Sequence, residues 1–117
     1  MNTINPETTL VNAESVAAGA YTTIAAAPTN GRPWAKVVVL CNKNHTIDHW
    51  GKQSDFTAVT AARKISDYTR TGKTDNTAYG GETYHVLCAG HAFFAPRVQN
   101  NDGSNAATIS VVVSFFD

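Results

Sequence analysis

Ala107-Thr108-Ile109-Ser110-Val111-Val112-Val113-Ser114-Phe115-Phe116 is the stretch whose reading decides the fold. Its odd positions, Ala107, Ile109, Val111, Val113 and Phe115, are all apolar, and Thr108, Ser110 and Ser114 fall on the even ones. Successive side chains of a strand point to opposite faces, so this alternation predicts a strand with one face in a core. Phe93–Asn100 stands before it, across Asn101-Asp102-Gly103-Ser104-Asn105, residues suited to a turn. The pair reads as a β-hairpin running to the end of the sequence, with the C-terminus tied into a sheet.

Working outward, Ala35–Cys41 carries Val37-Val38-Val39-Leu40, apolar at both parities. That run predicts a central strand covered on both faces. Thr46–Trp50 and Thr83–Leu87 read as further short strands. Pro96 lacks an N–H, so it marks its strand as an edge or a bulge. Within Leu10–Ile24 we expect two short strands joined at Gly19, because Tyr21-Thr22-Thr23-Ile24 are β-formers. Phe56, Val59, Ala62 and Ile65 recur at helical spacing behind Ser54 or Asp55, which predicts one short helix near 54–65. Ser66–Glu82, with Gly72, Gly80 and Gly81, reads as a long exposed loop and a contact surface. Residues 1–9 are polar and aperiodic, an extended N-terminal arm before a single domain over 10–117. Short strands separated by turns make this an all-β protein, a single β-sandwich of jelly-roll or immunoglobulin-like type.

The 117 residues suit one domain. Only 15% are charged, against about 25% in an ordinary soluble domain. Nine basic and nine acidic residues cancel, so no net field draws the chain to nucleic acid or an anionic membrane. A surface so low in charge suits a chain packed against neighbours. No apolar run approaches the roughly 20 residues of a transmembrane helix. The first residues, Met1-Asn2-Thr3-Ile4-Asn5-Pro6, lack the basic and apolar regions of an export signal. Synthesis in a cytoplasm, with Cys41 and Cys88 reduced and buried, is therefore expected. The Asn44-His45-Thr46 sequon is then a chance match.

Cys41, His45, His49, Cys88 and His91 form a set with metal-ligand residue types. It lacks the Cys-x2-Cys knuckle of structural zinc sites, so the expectation is no metal and no disulfide. There is no Gly-x-Ser-x-Gly elbow, His-Glu-x-x-His helix or phosphate-cradling glycine loop. Acidic pairs such as Asp48 with Asp55, or Asp67 with Glu82, occur in any chain of this composition. We therefore expect no catalytic residues, no cofactor and no enzymatic activity. Trp34, Trp50, Tyr68, Tyr79 and Tyr84 lie in or beside predicted loops, as sugar-stacking residues would. The plainer expectation is that Trp34 and Trp50 plug the two ends of the core.

Val16-Ala17-Ala18-Gly19-Ala20-Tyr21-Thr22-Thr23 carries a resemblance, as does Phe93-Phe94-Ala95-Pro96-Arg97-Val98-Gln99-Asn100-Asn101 leading into Ala106–Val113. The sequence resembles small β-sandwich virion proteins of tailed bacteriophages, of the capsid cement, decoration or head–tail accessory type. The resemblance implies a non-enzymatic protein on the capsid surface, bound to capsid protein and to copies of itself as a homotrimer. It implies no nucleic-acid, membrane or small-molecule partner. Contacts are expected from an arm over residues 1–12, pairing with a neighbouring chain by strand addition through Ile4, Pro6 and Leu10. A second set is expected from Tyr68 and Tyr79 in the 66–82 loop. The alternative is a carbohydrate-binding β-sandwich module of a phage fibre or a secreted enzyme, stacking sugars on Trp34 or Trp50.

Overall fold

The computed structural model describes residues 6–117. Among them run β1 (Thr8–Val16), β2 (Ala27–Pro28), β3 (Trp34–Cys41), β4 (His45–Lys52), β5 (Arg63–Lys64), β6 (Arg70–Lys73), β7 (Glu82–Leu87), β8 (Phe93–Asn100) and β9 (Ala107–Phe116). One sheet has the order β1-β9-β3-β7, and the other β2-β8-β4-β5 with β6 also on β4. All pairings are antiparallel. Because β5 and β6 share one side of β4, the strands occupy eight positions that alternate between the sheets as a double Greek key. That winding is the jelly roll and not the immunoglobulin order.

The core lies between the inner faces. Ala35, Val37, Val39 and Cys41 of β3 face inward beside Ala107, Ile109, Val111, Val113 and Phe115 of β9. The register sets Val37 against Val113 and Val39 against Val111. Ile47, Phe94 and Val98 close the core from the opposite sheet. Each large apolar side chain among them contributes about 1.5–3 kcal/mol when fully buried.

The terminal strands do not form a hairpin. β8 pairs with β4 and β2, whereas β9 pairs with β1 and β3. Residues 101–106 instead carry the chain from one sheet to the other. Asn100 explains the crossing: it is fully buried, and its Nδ2 donates to Val16 O at 3.0 Å and Asn105 O at 2.9 Å. Its Oδ1 accepts from the Asp102 amide, and Asp102 Oδ1 accepts from the Ser104 and Asn105 amides. This ladder of side-chain bonds replaces the direct return of a tight turn.

β8 is neither an edge strand nor bulged at Pro96: it lies between β2 and β4 in unbroken register with β4. The amides of Val98 and Asn100, which share the parity of Pro96, point away from β4 to Thr22 Oγ1 and Ala20 O. Position 96 faces that same side, in the gap between Thr22 and β2, where an N–H is not needed. Gly19 does mark the turn after β1, but the continuation is a single bridge from Tyr21 to Gln99, not a second strand.

No helix forms over 54–65. The chain there makes bends and a turn, and Ala61 adopts φ 65°, a left-handed conformation incompatible with a continuing helix. Phe56 alone of the helical set is buried. A helix this short needs a whole apolar face packed, and this segment supplies only Phe56 and, at its far end, the half-buried Ile65. The 66–82 segment is less open than expected. β6 pairs with β4, and the Asn76 side chain is bonded to β3 twice. Its Oδ1 accepts from the Cys41 amide at 2.9 Å, and its Nδ2 donates to Val39 O at 2.9 Å. Gly81 packs so closely on Val39 O that a Cβ there would clash. Of the expected 1–9 arm, Thr8 and Thr9 pair with Val113 and Val112, and residues 1–5 lie outside the described residues.

Candidate interaction faces

The two sheets present different outer surfaces. On the β3 sheet, rows run across the strands as Leu87–Trp34–Phe116, His85–Lys36–Ser114 and Thr83–Val38–Val112. Trp34 stacks on Phe116 with ring centroids 6.4 Å apart, and His85 meets Phe116 edge-on at 4.8 Å. Val38, Leu40 and Val112 are half-buried, and Leu87 is 43% exposed. Lys36, paired with Glu7 at 3.4 Å, is the charge among these rows. The expectation of a β3 covered on both faces fails for this reason. Its inner residues are sealed, and among the described residues no second layer covers the outer ones.

On the β4 sheet the outer face is polar and aromatic. Arg97 donates from Nε to Asp48 Oδ1 at 3.1 Å and from Nη2 to Asp48 Oδ2 at 2.7 Å. Trp50 Nε1 donates to the same Asp48 Oδ1 at 3.0 Å. The guanidinium lies 3.8 Å from the Tyr21 ring centroid and 5.3 Å from that of Trp50. The result is a fixed platform in which Arg97 is held by one carboxylate between two rings. Tyr21, 45% exposed, is its most open member.

Between the sheets, His49 of β4 shares a 2.6 Å hydrogen bond with Tyr84 Oη of β7 and stacks on Phe94. Burial pushes the His49 imidazole down to about 4, with Asp48 opposing and Arg70 adding. Burial pushes the Tyr84 phenol up, against the opposing charge of Arg70, whose guanidinium lies 4.5 Å from its ring. Glu82 bonds Arg70 and, at 3.1 Å, Lys73. Burial raises the Glu82 carboxyl, but these two cations prevail and hold it below its ordinary value. This neutral imidazole–phenol pair with an ion-paired carboxylate beside it ties β4 to β7 across the sandwich.

The residues expected from the sequence to make contacts fall in scattered places. Ile4 lies outside the described residues. Pro6 is exposed, whereas Leu10 on β1 is half-buried against the core. β1 pairs with β9 of its own chain, so the described part of the expected arm is already committed to a sheet. Tyr68 also packs partly on the core, and Tyr79 is 86% exposed. Leu10 sits at the β1 edge and Tyr68 beside β6 at the other edge, so these residues do not share one surface. Neither Trp34 nor Trp50 plugs the core. They lie on opposite outer faces and cannot serve one sugar platform. Sequence reasoning missed Arg97 and Tyr21 as site residues and set Asp48 aside as half of an unspecific acidic pair; strand parity, which turns Asp48 and Arg97 outward, was the signal available.

Cys41 and Cys88 are both buried free thiols, near opposite ends of β3. Eight residues of strand separate those ends by roughly 23 Å, which rules out a bond or a shared metal between them. Burial raises the Cys41 thiol and pushes Cys88 up to about 11, so neither is an activated nucleophile. His45 and His49 both face the core on β4. Among the described residues, no three of the metal-ligating types converge.

No protein-family model and no curated protein matches this sequence. Among solved structures the chain is similar to one described as the crystal structure of PirA, with 13% identity and a TM-score of 0.46 over 95% of this chain and 93% of that one. The jelly-roll order rests on this chain's own strand pairings, independent of that likeness.

Proposed function

We propose that this is a non-enzymatic structural virion protein that decorates and stabilises a phage head, docking through the outer face of the β3 sheet onto capsid protein and further copies of itself. One observation carries the reading. Trp34, Val38, Leu40, Val112 and Phe116 line up on a sheet face that no other layer of the described residues covers. Apolar surface of this kind is a mark of protein–protein contact. Jelly rolls occur in capsid and lectin domains alike, so the fold is compatible with this function and does not select it. A protein that binds only the assembled shell stabilises that shell by mass action. The test is native mass measurement followed by co-sedimentation with purified heads. A homotrimer that sediments with heads and raises their disruption temperature is the expected result. A monomer that ignores heads overturns the proposal.

A second reading has its own observation. The Tyr21–Arg97–Trp50 platform, fixed by Asp48, has the rigid ring and polar neighbours on which a sugar ring would stack. This reading makes the protein a carbohydrate-binding module working as a monomer. Saturable binding to a polysaccharide, lost in Trp50→Ala, would select it.

A further inference from the structure

A cleft of about 200 Å³ opens at the end of the sandwich where β4 runs out, lined by Gly51, Lys52, Gln53, Ser54, Ala61, Arg63 and His91. We propose that this cleft binds a single oxyanion group, a phosphate, sulfate or carboxylate, between Lys52, Arg63 and His91. Its lining holds two permanent cations, an imidazole, an amide and a hydroxyl, and no carboxylate. Among the described residues neither Lys52 nor Arg63 is in an ion pair, whereas five other cations of the chain are: Arg32, Lys36, Arg70, Lys73 and Arg97. The nearest acid in sequence, Asp55, is turned to the Phe56 amide at 2.8 Å. In a chain of zero net charge, this is a local concentration of unneutralised positive charge in a concave site.

The backbone is arranged to bring these groups together. Gly51 pairs with Arg63 across the β4–β5 ladder, which fixes the Arg63 Cα beside the cleft floor. A Cβ at Gly51 would collide with the His91 ring, so glycine is what allows the imidazole to close over the strand end. Gln53 Nε2 donates to Gly90 O and anchors the turn that carries His91. Ala61 holds a left-handed backbone at φ 65° without a side chain that favours it. Strain of this sort concentrates at ligand sites. Arginine supplies a planar fork for two oxyanion oxygens, and lysine supplies a point charge for a third.

The full-length protein is titrated at low salt with inorganic phosphate, following backbone and imidazole resonances. Saturable shifts confined to Lys52–Ser54, Ala61–Arg63 and His91 are expected. Arg63→Gln and Lys52→Gln should each weaken binding about tenfold without lowering the melting temperature, since neither side chain is buried or ion-paired. A second arm uses a sugar phosphate. Tighter binding than inorganic phosphate assigns the oxyanion to a larger ligand, and equal binding assigns it to the free ion. Shifts that rise linearly without saturating for both probes, or binding indifferent to both substitutions in folded protein, overturn the proposal.

Discussion

The two outer faces of this sandwich are built by the same alternation and differ in what the chain leaves unfinished. On the β4 sheet the Asp48 carboxylate and the Arg97 guanidinium are matched to each other by two bonds, with Trp50 donating to the same carboxylate. That face is complete within one chain. On the β3 sheet, Trp34, Val38, Leu40, Val112 and Phe116 offer apolar surface with no layer of the described residues above it. A low charge content says that a chain has apolar surface to spare, but only the comparison of faces tells which side is waiting for a partner. The difference also explains why the two functional readings fall on opposite surfaces and can be separated by single substitutions.

The comparison breaks first if the shared core is wrong. Val111 is fully buried on β9, opposite Val39. Val111→Asp places an unpaired carboxylate among apolar side chains, at a cost of several kcal/mol, comparable to the whole stability of a small domain. The variant should show no cooperative melting transition in circular dichroism. A soluble Val111→Asp protein with a normal transition would remove the core, and both outer faces with it.

The next effect concerns the tie between the sheets. His49 titrates at about 4 when folded and near 6.5 when unfolded. Between those values the unfolded chain binds a proton that the folded chain does not, so stability falls as pH drops through this window. The loss is complete near pH 4 and amounts to about 3 kcal/mol. Most of it precedes the carboxylate range, so it separates from general acid denaturation. Urea midpoints measured from pH 7 to pH 4.5 should decline in the natural protein and stay nearly level in His49→Phe. Equal slopes in the two proteins would show that His49 is not held neutral by burial.

How much of this is legible in the sequence follows the range of each interaction. The inward positions 107 to 115 are readable because alternation is a local consequence of the pleat. The hairpin reading fails because a polar turn between two strands looks the same whether the chain folds back or crosses to the other sheet. What decides is Asn100, whose partner Val16 lies 84 residues away. The helix near 54–65 fails because spacing counts apolar residues without knowing whether they can be buried together: Phe56 alone is fully buried, and Ile65 at the far end packs partly on the core. Of the site residues, Trp34 and Trp50 stand out as aromatics, but their separation onto opposite faces depends on strand order. Arg97 is invisible as a site residue, because its meaning rests on the register that sets it against Asp48.

A smaller effect sharpens the β4 face. Arg97→Lys keeps the charge but cannot reproduce the two-atom bond to Asp48 or the stacking on Tyr21 and Trp50. The expected loss is about 1 kcal/mol, read as a lowered urea midpoint, with the oligomeric state unchanged. If the substitution dissociates an oligomer, the face taken as complete within one chain is itself an interface.

The smallest effect on folding falls on the other face, and there the contrast is sharpest. Val38 is half-buried on the outer side of β3, between Val112 and Thr83. A lysine at this position can reach water along its own stem, so Val38→Lys should change monomer stability by only about 0.5 kcal/mol. In an interface the same ammonium would be desolvated without a partner, beside Lys36 one row away, and association would suffer far more than folding. The expected outcome is a protein with a near-normal melting transition that elutes as a monomer and no longer sediments with phage heads. Were Val38→Lys to retain the oligomer and head binding of the natural chain, the apolar rows on the β3 sheet would be exposed surface without a partner, and the docking face would have to be sought at the strand edges.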